Sequence, residues 1–240
     1  MGRHFEVRAA KMAKTAAAKA KVYSRYGKEI YVAAKNGEPD PEMNSTLASV
    51  IDRAKANQVP ADVIKRAIEK AKGGTGENYS SATYEGFGSG GGATVVIECL
   101  TDNANRTIAD LRGAFNKAHA KIGVSGSVSF NYENVGALVF DYEDEDAMLE
   151  CLLEAEVDVK NIEVEDGHMS VTTANTDLNK AKQAIEKLIA DVKFDVLELT
   201  MEPNEYVTLE GEDKELFERL LTLLDDVDDV QNVYHNVENL

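Results

Sequence analysis

The chain of 240 residues has no tryptophan, two cysteines, four prolines and four histidines. Two thiols cannot build a disulfide-dense secreted scaffold. Cys99 and Cys151 both sit in apolar runs and read as buried free thiols of a reducing compartment. No apolar run is long enough to cross a bilayer, and the N-terminus lacks the apolar stretch of a secretory signal, so a cytoplasmic protein without membrane partners is expected. His4, His119, His168 and His235 are scattered, none beside a Cys or His at ligand spacing, so no metal site and no cofactor is assigned. No nucleophile-elbow motif occurs. The glycine-rich run 86–92 lacks the Lys-Ser/Thr and the strand-loop-helix order of a phosphate loop, and reads as a flexible hairpin turn. Asn103 to Thr107 opens a helix, where an asparagine cap suffices as explanation. With no acid–base or nucleophile constellation, no catalytic residue is assigned and a non-enzyme is expected.

What the chain has in excess is negative charge, −17 overall, unevenly spread. Residues 1–72 carry 15 Lys and Arg against 8 Asp and Glu, a net +7. The remainder carries 11 against 35, a net −24. A basic segment on an acidic body admits polyanions at one end only. The acidic clusters 141–146 and 225–229 read as solvated surface.

The hydropathy pattern predicts an α+β chain of three domains. Residues 1–76 form a basic helical domain: helices over 6–35, 43–57 and 60–72, broken by Asn36-Gly37-Glu38-Pro39-Asp40-Pro41 and closed by Gly73-Gly74. Residues 135–202 read as strand, helix, strand, a turn at Asp166-Gly167, strand, helix, strand, the βαββαβ order of a ferredoxin-like domain. The flanking pieces, 80–134 and 203–240, are each incomplete, so the second is expected to return and complete a central α/β domain around the insertion. Strands are expected at 83–87, 94–100, 127–132, 206–209 and 230–235, and helices at 106–120 and 213–224.

At about 100° per residue, Lys14, Arg25, Lys28 and Lys35 fall within about 40° of Lys21 on the first helix. Met12, Tyr23, Tyr26, Ile30 and Ala33 fall opposite, and Lys19 interrupts that apolar side. The helix is therefore expected to dock through one stripe and point cations outward with the other. Arg3, Arg8, Lys11, Lys14, Lys21, Arg25, Lys28 and Lys35 are the candidate nucleic-acid-binding residues. They would neutralise phosphates without reading sequence. Tyr23 and Tyr26 could stack bases, but their position on the helix assigns them to the core. Two other classes fit the same charge pattern: an acidic protein-interaction module and a small-ligand-binding regulatory module built on the βαββαβ block.

Several segments together resemble one family. They are "KVYSRYGKEIYVAAKNGEPDPEMNSTL" at 21–47, "ANQVPADVIKRAIEKAKGG" at 56–74, "YEGFGSGGGATVVIE" at 84–98 and "LTDNANRTIADLR" at 100–112. They continue with "GSVSF" at 126–130, "LLEAEVDV" at 152–159 and "DDVQNVYHNVENL" at 228–240. The chain is similar over its whole length to the YebC/PmpR family, and within it to the YeeN-type branch. It opens Gly2-Arg3-His4-Phe5-Glu6 where many members open Gly-His-Ser-Lys-Trp, so contacts of that lead are not transferred. The resemblance implies the same three domains and a cytoplasmic transcriptional regulator that binds DNA. For other relatives, including the mitochondrial translational activator of cytochrome oxidase, it implies association with the ribosome and help to translation across proline-rich stretches; a basic helix without base-reading chemistry fits an rRNA or tRNA backbone at least as well as an operator.

Overall fold

The computed structural model describes residues 16–73 and 78–240. Arg3, Arg8, Lys11, Lys14 and Met12 lie outside the described residues. The fold is α+β, with a helical N-terminal domain and two α/β domains, each built on a four-stranded sheet. The chain divides into two compact units, residues 1–76 with 134–200, and 77–133 with 201–240.

Among the described residues, three helices belong to the first domain: α1 (Ala16–Lys35), α2 (Ser45–Ala56) and α3 (Ala61–Lys72). α1 packs on both of the others. One side chain organises the sharp connection from α1 to α2. Asn44 Oδ1 accepts from the Leu47 amide and caps α2, while its Nδ2 donates to the carbonyls of Ala33 and Glu38. The buried side chains are Ile30, Tyr31 and Ala34 on α1, Leu47, Val50, Ile51 and Ala54 on α2, and Ile64 and Ala67 on α3. In the same unit, Lys182 ion-pairs with Asp52 of α2 at 2.7 Å, and Ala56 packs on the core of the ferredoxin-like domain.

That domain runs β4 (Tyr132–Asp141), α5 (Glu145–Glu154), β5 (Val159–Glu165), β6 (His168–Ala174), α6 (Leu178–Leu188) and β7 (Phe194–Pro203). Its sheet order is β5-β6-β4-β7, the order that two right-handed βαβ crossovers produce. The hairpin between β5 and β6 turns on Asp166 (φ 51°) and Gly167 (φ 84°). Both residues are left-handed, which is why Asp-Gly reads so well as a hairpin turn. Leu138, Phe140, Met169 and Val171 of the sheet bury against Met148, Leu152, Ala181 and Ile185 of the helices.

The other sheet has the order β3-β1-β2-β8, from β1 (Ser80–Phe87), β2 (Thr94–Thr101), β3 (Lys121–Ile122) and β8 (Val230–His235). The C-terminal strand β8 pairs antiparallel with β2. Val95, Ile97 and Cys99 face α4 (Ala104–Lys117) and α7 (Gly211–Asp225), burying against Leu111, Phe115, Phe217, Leu220 and Leu224.

The structure changes four details of the sequence reading. The run 127–132 is not a strand: Ser129–Asn131 is a 3-10 turn, and β4 starts only at Tyr132. Residues 206–209 make a single parallel bridge, Val207 to Val237, because the Asn239 side chain takes both backbone hydrogen bonds of Leu209. The glycine run is a hairpin turn, but a tightly seated one. A Cβ at Gly90 would meet the Asp213 carboxylate and one at Gly88 the Phe217 ring, while Gly91 and Gly92 have positive φ. Cys99 is buried, but Cys151 is only partly so; neither is in a disulfide.

Gly86 sits in β1 directly under Phe115, and a Cβ there would run into the ring. Gly86→Ala is therefore expected to destabilise by about 1–3 kcal/mol through overpacking. Urea unfolding measures this, and an unchanged midpoint would show that the ring can move aside.

Candidate nucleic-acid interface

The buried stripe of α1 is rotated from the expected one. Ile30 holds its place, but Tyr31 and Ala34 are buried where Ala33 was expected to be. The seat is turned by about 50° toward the side that carries Lys35. The turn leaves Lys21, Arg25, Lys28 and Lys35 half-buried rather than fully solvated. Lys19, which spoiled the pattern on paper, is exposed.

Tyr26 belongs to the interior. Its hydroxyl accepts from Asn57 Nδ2 at 2.8 Å, and burial, then the nearby Glu198 carboxylate, pushes the phenol well above its ordinary range. A tyrosine held this way cannot swing out to stack on a base. Arg53 is also engaged, with Nη2 at 3.3 Å from Glu29.

Two cations meet at Tyr31. Lys35 Nζ of α1 and Lys70 Nζ of α3 each lie 5.4 Å from the centre of its ring. Both come from the last turns of their helices, where the dipole favours positive charge. Lys72 follows on the same turn of α3 and is exposed. Earlier on α3, Arg66 pairs with Asp62, and Lys65 lies 3.9 Å from Glu69. The basic surface thus extends from α1 onto the end of α3, which the sequence reading did not assign. The signal was present in Lys70-Ala71-Lys72, but which helix faces meet depends on tertiary packing.

The other candidates resolve into structural roles. Asn103 Oδ1 accepts from the Arg106 amide, and Asp102 pairs with the Arg106 side chain, so the start of α4 is capped. Asp229 leaves the presumed acidic surface: it is 4% exposed and anchors Arg106, Thr101 and Thr107. Among the described residues, no helix is long and apolar enough to cross a membrane.

A basic helical domain followed by two α/β domains is a recurring arrangement with its own family models. Residues 3–74 match the model of the TACO1/YebC N-terminal domain, and residues 79–237 match that of the TACO1/YebC second and third domain. The chain belongs to this family. It is 52% identical over 238 residues to a protein of Alcanivorax borkumensis, covering 99% of each chain. It is also 51% identical over 238 residues to one of Marinobacter nauticus, covering 99% of this chain and 98% of the relative. Both are named probable transcriptional regulatory proteins. The crystal structure of a conserved hypothetical protein from Aquifex aeolicus superimposes with a TM-score of 0.79 at 32% identity, covering 94% of this chain and 93% of that one.

Proposed function

We propose that this chain is a non-enzymatic, nucleic-acid-binding regulator of gene expression that meets its target through the helical domain. The observation that carries the reading is the set of cations on α1 and α3, Lys21, Arg25, Lys28, Lys35, Lys70 and Lys72, set on a chain that is net negative elsewhere. Arg3, Arg8, Lys11 and Lys14 would lengthen the same arm. The names of the relatives support a regulatory role. The chemistry of the face supports contact with the phosphate backbone. Among the described residues it offers ammonium and guanidinium groups on helix flanks and no Asn, Gln or Arg array suited to reading base edges. Structured RNA, including that of the ribosome, meets such a face as readily as duplex DNA does. This favours a protein that recognises the shape and charge of its target.

The test is binding of an RNA hairpin and a DNA duplex across a salt series. Lys21→Gln, Arg25→Gln and Lys28→Gln together should weaken both and make the slope of log affinity against log salt shallower by about two to three units. Asp225→Asn, Asp226→Asn and Asp228→Asn together, sparing the buried Asp229, should not weaken binding. An arm variant with wild-type affinity and slope would reduce the stripe to an ordinary solvated flank.

A further inference from the structure

The sheet order of the ferredoxin-like domain brings three potential metal ligands to one place. Asp141 closes β4 and His168 opens β6, where the two are register partners. Asp195 lies on β7, the other neighbour of β4. His168 Nδ1 is 2.7 Å from Asp141 Oδ1 and 3.8 Å from Asp195 Oδ2. One ligand atom from each residue lies within 4.8 Å of the other two. The Nδ1 atom is shielded from solvent, and the Asp195 side chain is only 34% exposed. Burial, and then the charge of Asp141, pushes the Asp195 carboxyl above its ordinary value, against the pull of His168. All three residues stand on strands, so the backbone holds their spacing fixed.

Two converging carboxylates repel each other, and a divalent cation between them removes that repulsion while the imidazole nitrogen supplies a third donor. We propose that Asp141, His168 and Asp195 form a three-ligand site for a divalent transition ion of the zinc class. One imidazole nitrogen with two carboxylate oxygens suits Zn²⁺, Mn²⁺ or Fe²⁺, whereas Mg²⁺ and Ca²⁺ favour oxygen alone. Bonds of about 2.0–2.2 Å place the donors of a tetrahedral ion a little over 3 Å apart. The Nδ1 to Asp141 gap must therefore open by roughly 0.6–0.9 Å. Asp141 has that freedom, its side chain being 83% exposed. The fourth position is left to water. The site goes beyond the nucleic-acid reading and does not depend on it. Sequence spacing could not reveal it, because strand register and sheet order bring the ligands together.

The test uses the full chain stripped with a chelator and Zn²⁺ alone as the probe, read by titration calorimetry and by thermal unfolding. One Zn²⁺ per chain and a raised Tm are expected. His168→Ala, Asp141→Asn and Asp195→Asn should each weaken binding by about tenfold or more. Asp141→Asn is the variant least able to disturb folding. His119→Ala, at an exposed histidine of the other unit, should bind as wild type, and excess Mg²⁺ should not displace the ion. If wild type binds Zn²⁺ no better than Asp141→Asn, or His119→Ala loses as much as His168→Ala, the cluster is an ion pair only and the proposal fails.

Discussion

Glu85→Ala is expected to lower stability by about 3 kcal/mol, the sum of several buried donors losing their acceptor. Glu85 is 4% exposed in the middle of β1. Its carboxylate accepts from the amides of Gly126 at 2.7 Å, Val128 at 2.5 Å and Ser129 at 2.9 Å, and from the Ser129 hydroxyl at 3.1 Å. Alanine would leave the amides facing an apolar cavity. Glu85→Gln is expected to fall between, since one side-chain oxygen remains while the new NH₂ faces donors. Burial pushes the Glu85 carboxyl up, but the four hydrogen bonds outweigh it and hold the group below its ordinary value. A depressed carboxyl stabilises fully above its unfolded value, near about 4.3. That contribution is lost as pH falls through the folded value. Wild type should therefore lose stability on acidification below about pH 4 more steeply than Glu85→Gln does. Urea titrations between pH 7 and pH 3 measure both effects, and parallel acid limbs would contradict the assignment.

The second large effect is expected at Asp229, where alanine should cost about 2–3 kcal/mol. The carboxylate Oδ2 accepts from Arg106 Nη2 at 2.7 Å, Thr107 Oγ1 at 2.9 Å and Thr101 Oγ1 at 3.1 Å. Its backbone carbonyl also accepts from the Leu100 amide. Removing the side chain takes from the buried Thr101 hydroxyl the acceptor it has at Asp229. Thr107 keeps the Thr101 oxygen and the Asn103 carbonyl as acceptors. Arg106 is about half exposed and keeps Asp102 at 2.9 Å. That fallback is why the loss should stay below the figure for Glu85. Here too burial pushes the carboxyl up, and the hydrogen bonds from Arg106, Thr107 and Thr101 hold it below its ordinary value. Asp229→Asn should lose less than alanine in thermal unfolding; equal losses would point to packing rather than hydrogen bonding.

These two carboxylates mark the limit of what the sequence reveals. The helices, the βαββαβ block and the glycine turns are visible because their signals are local: period, caps and left-handed turns. Glu85 finds partners more than 40 residues away, and Asp229 finds its own more than 120 residues away. No local pattern separates either from a solvated acid. The same long-range capture explains the misread strand at 127–132, whose amides are claimed by Glu85 before they can join a ladder. On α1 the arc carrying Lys21, Arg25, Lys28 and Lys35 was legible from period alone. The seat of Tyr31 and the arrival of Lys70 were not, because they depend on how α3 crosses α1.

The hydrogen bond from the Asn204 amide to the Asn131 carbonyl, 2.9 Å long, acts as a clasp at the neck of the insertion. β4 leaves and β7 returns as adjacent strands, so everything between them is, to the host sheet, a loop whose two ends already touch. The entropy of closing a loop rises only slowly with its length. A change of chain length beyond the clasp is therefore expected to cost the pairing of β2 with β8 little.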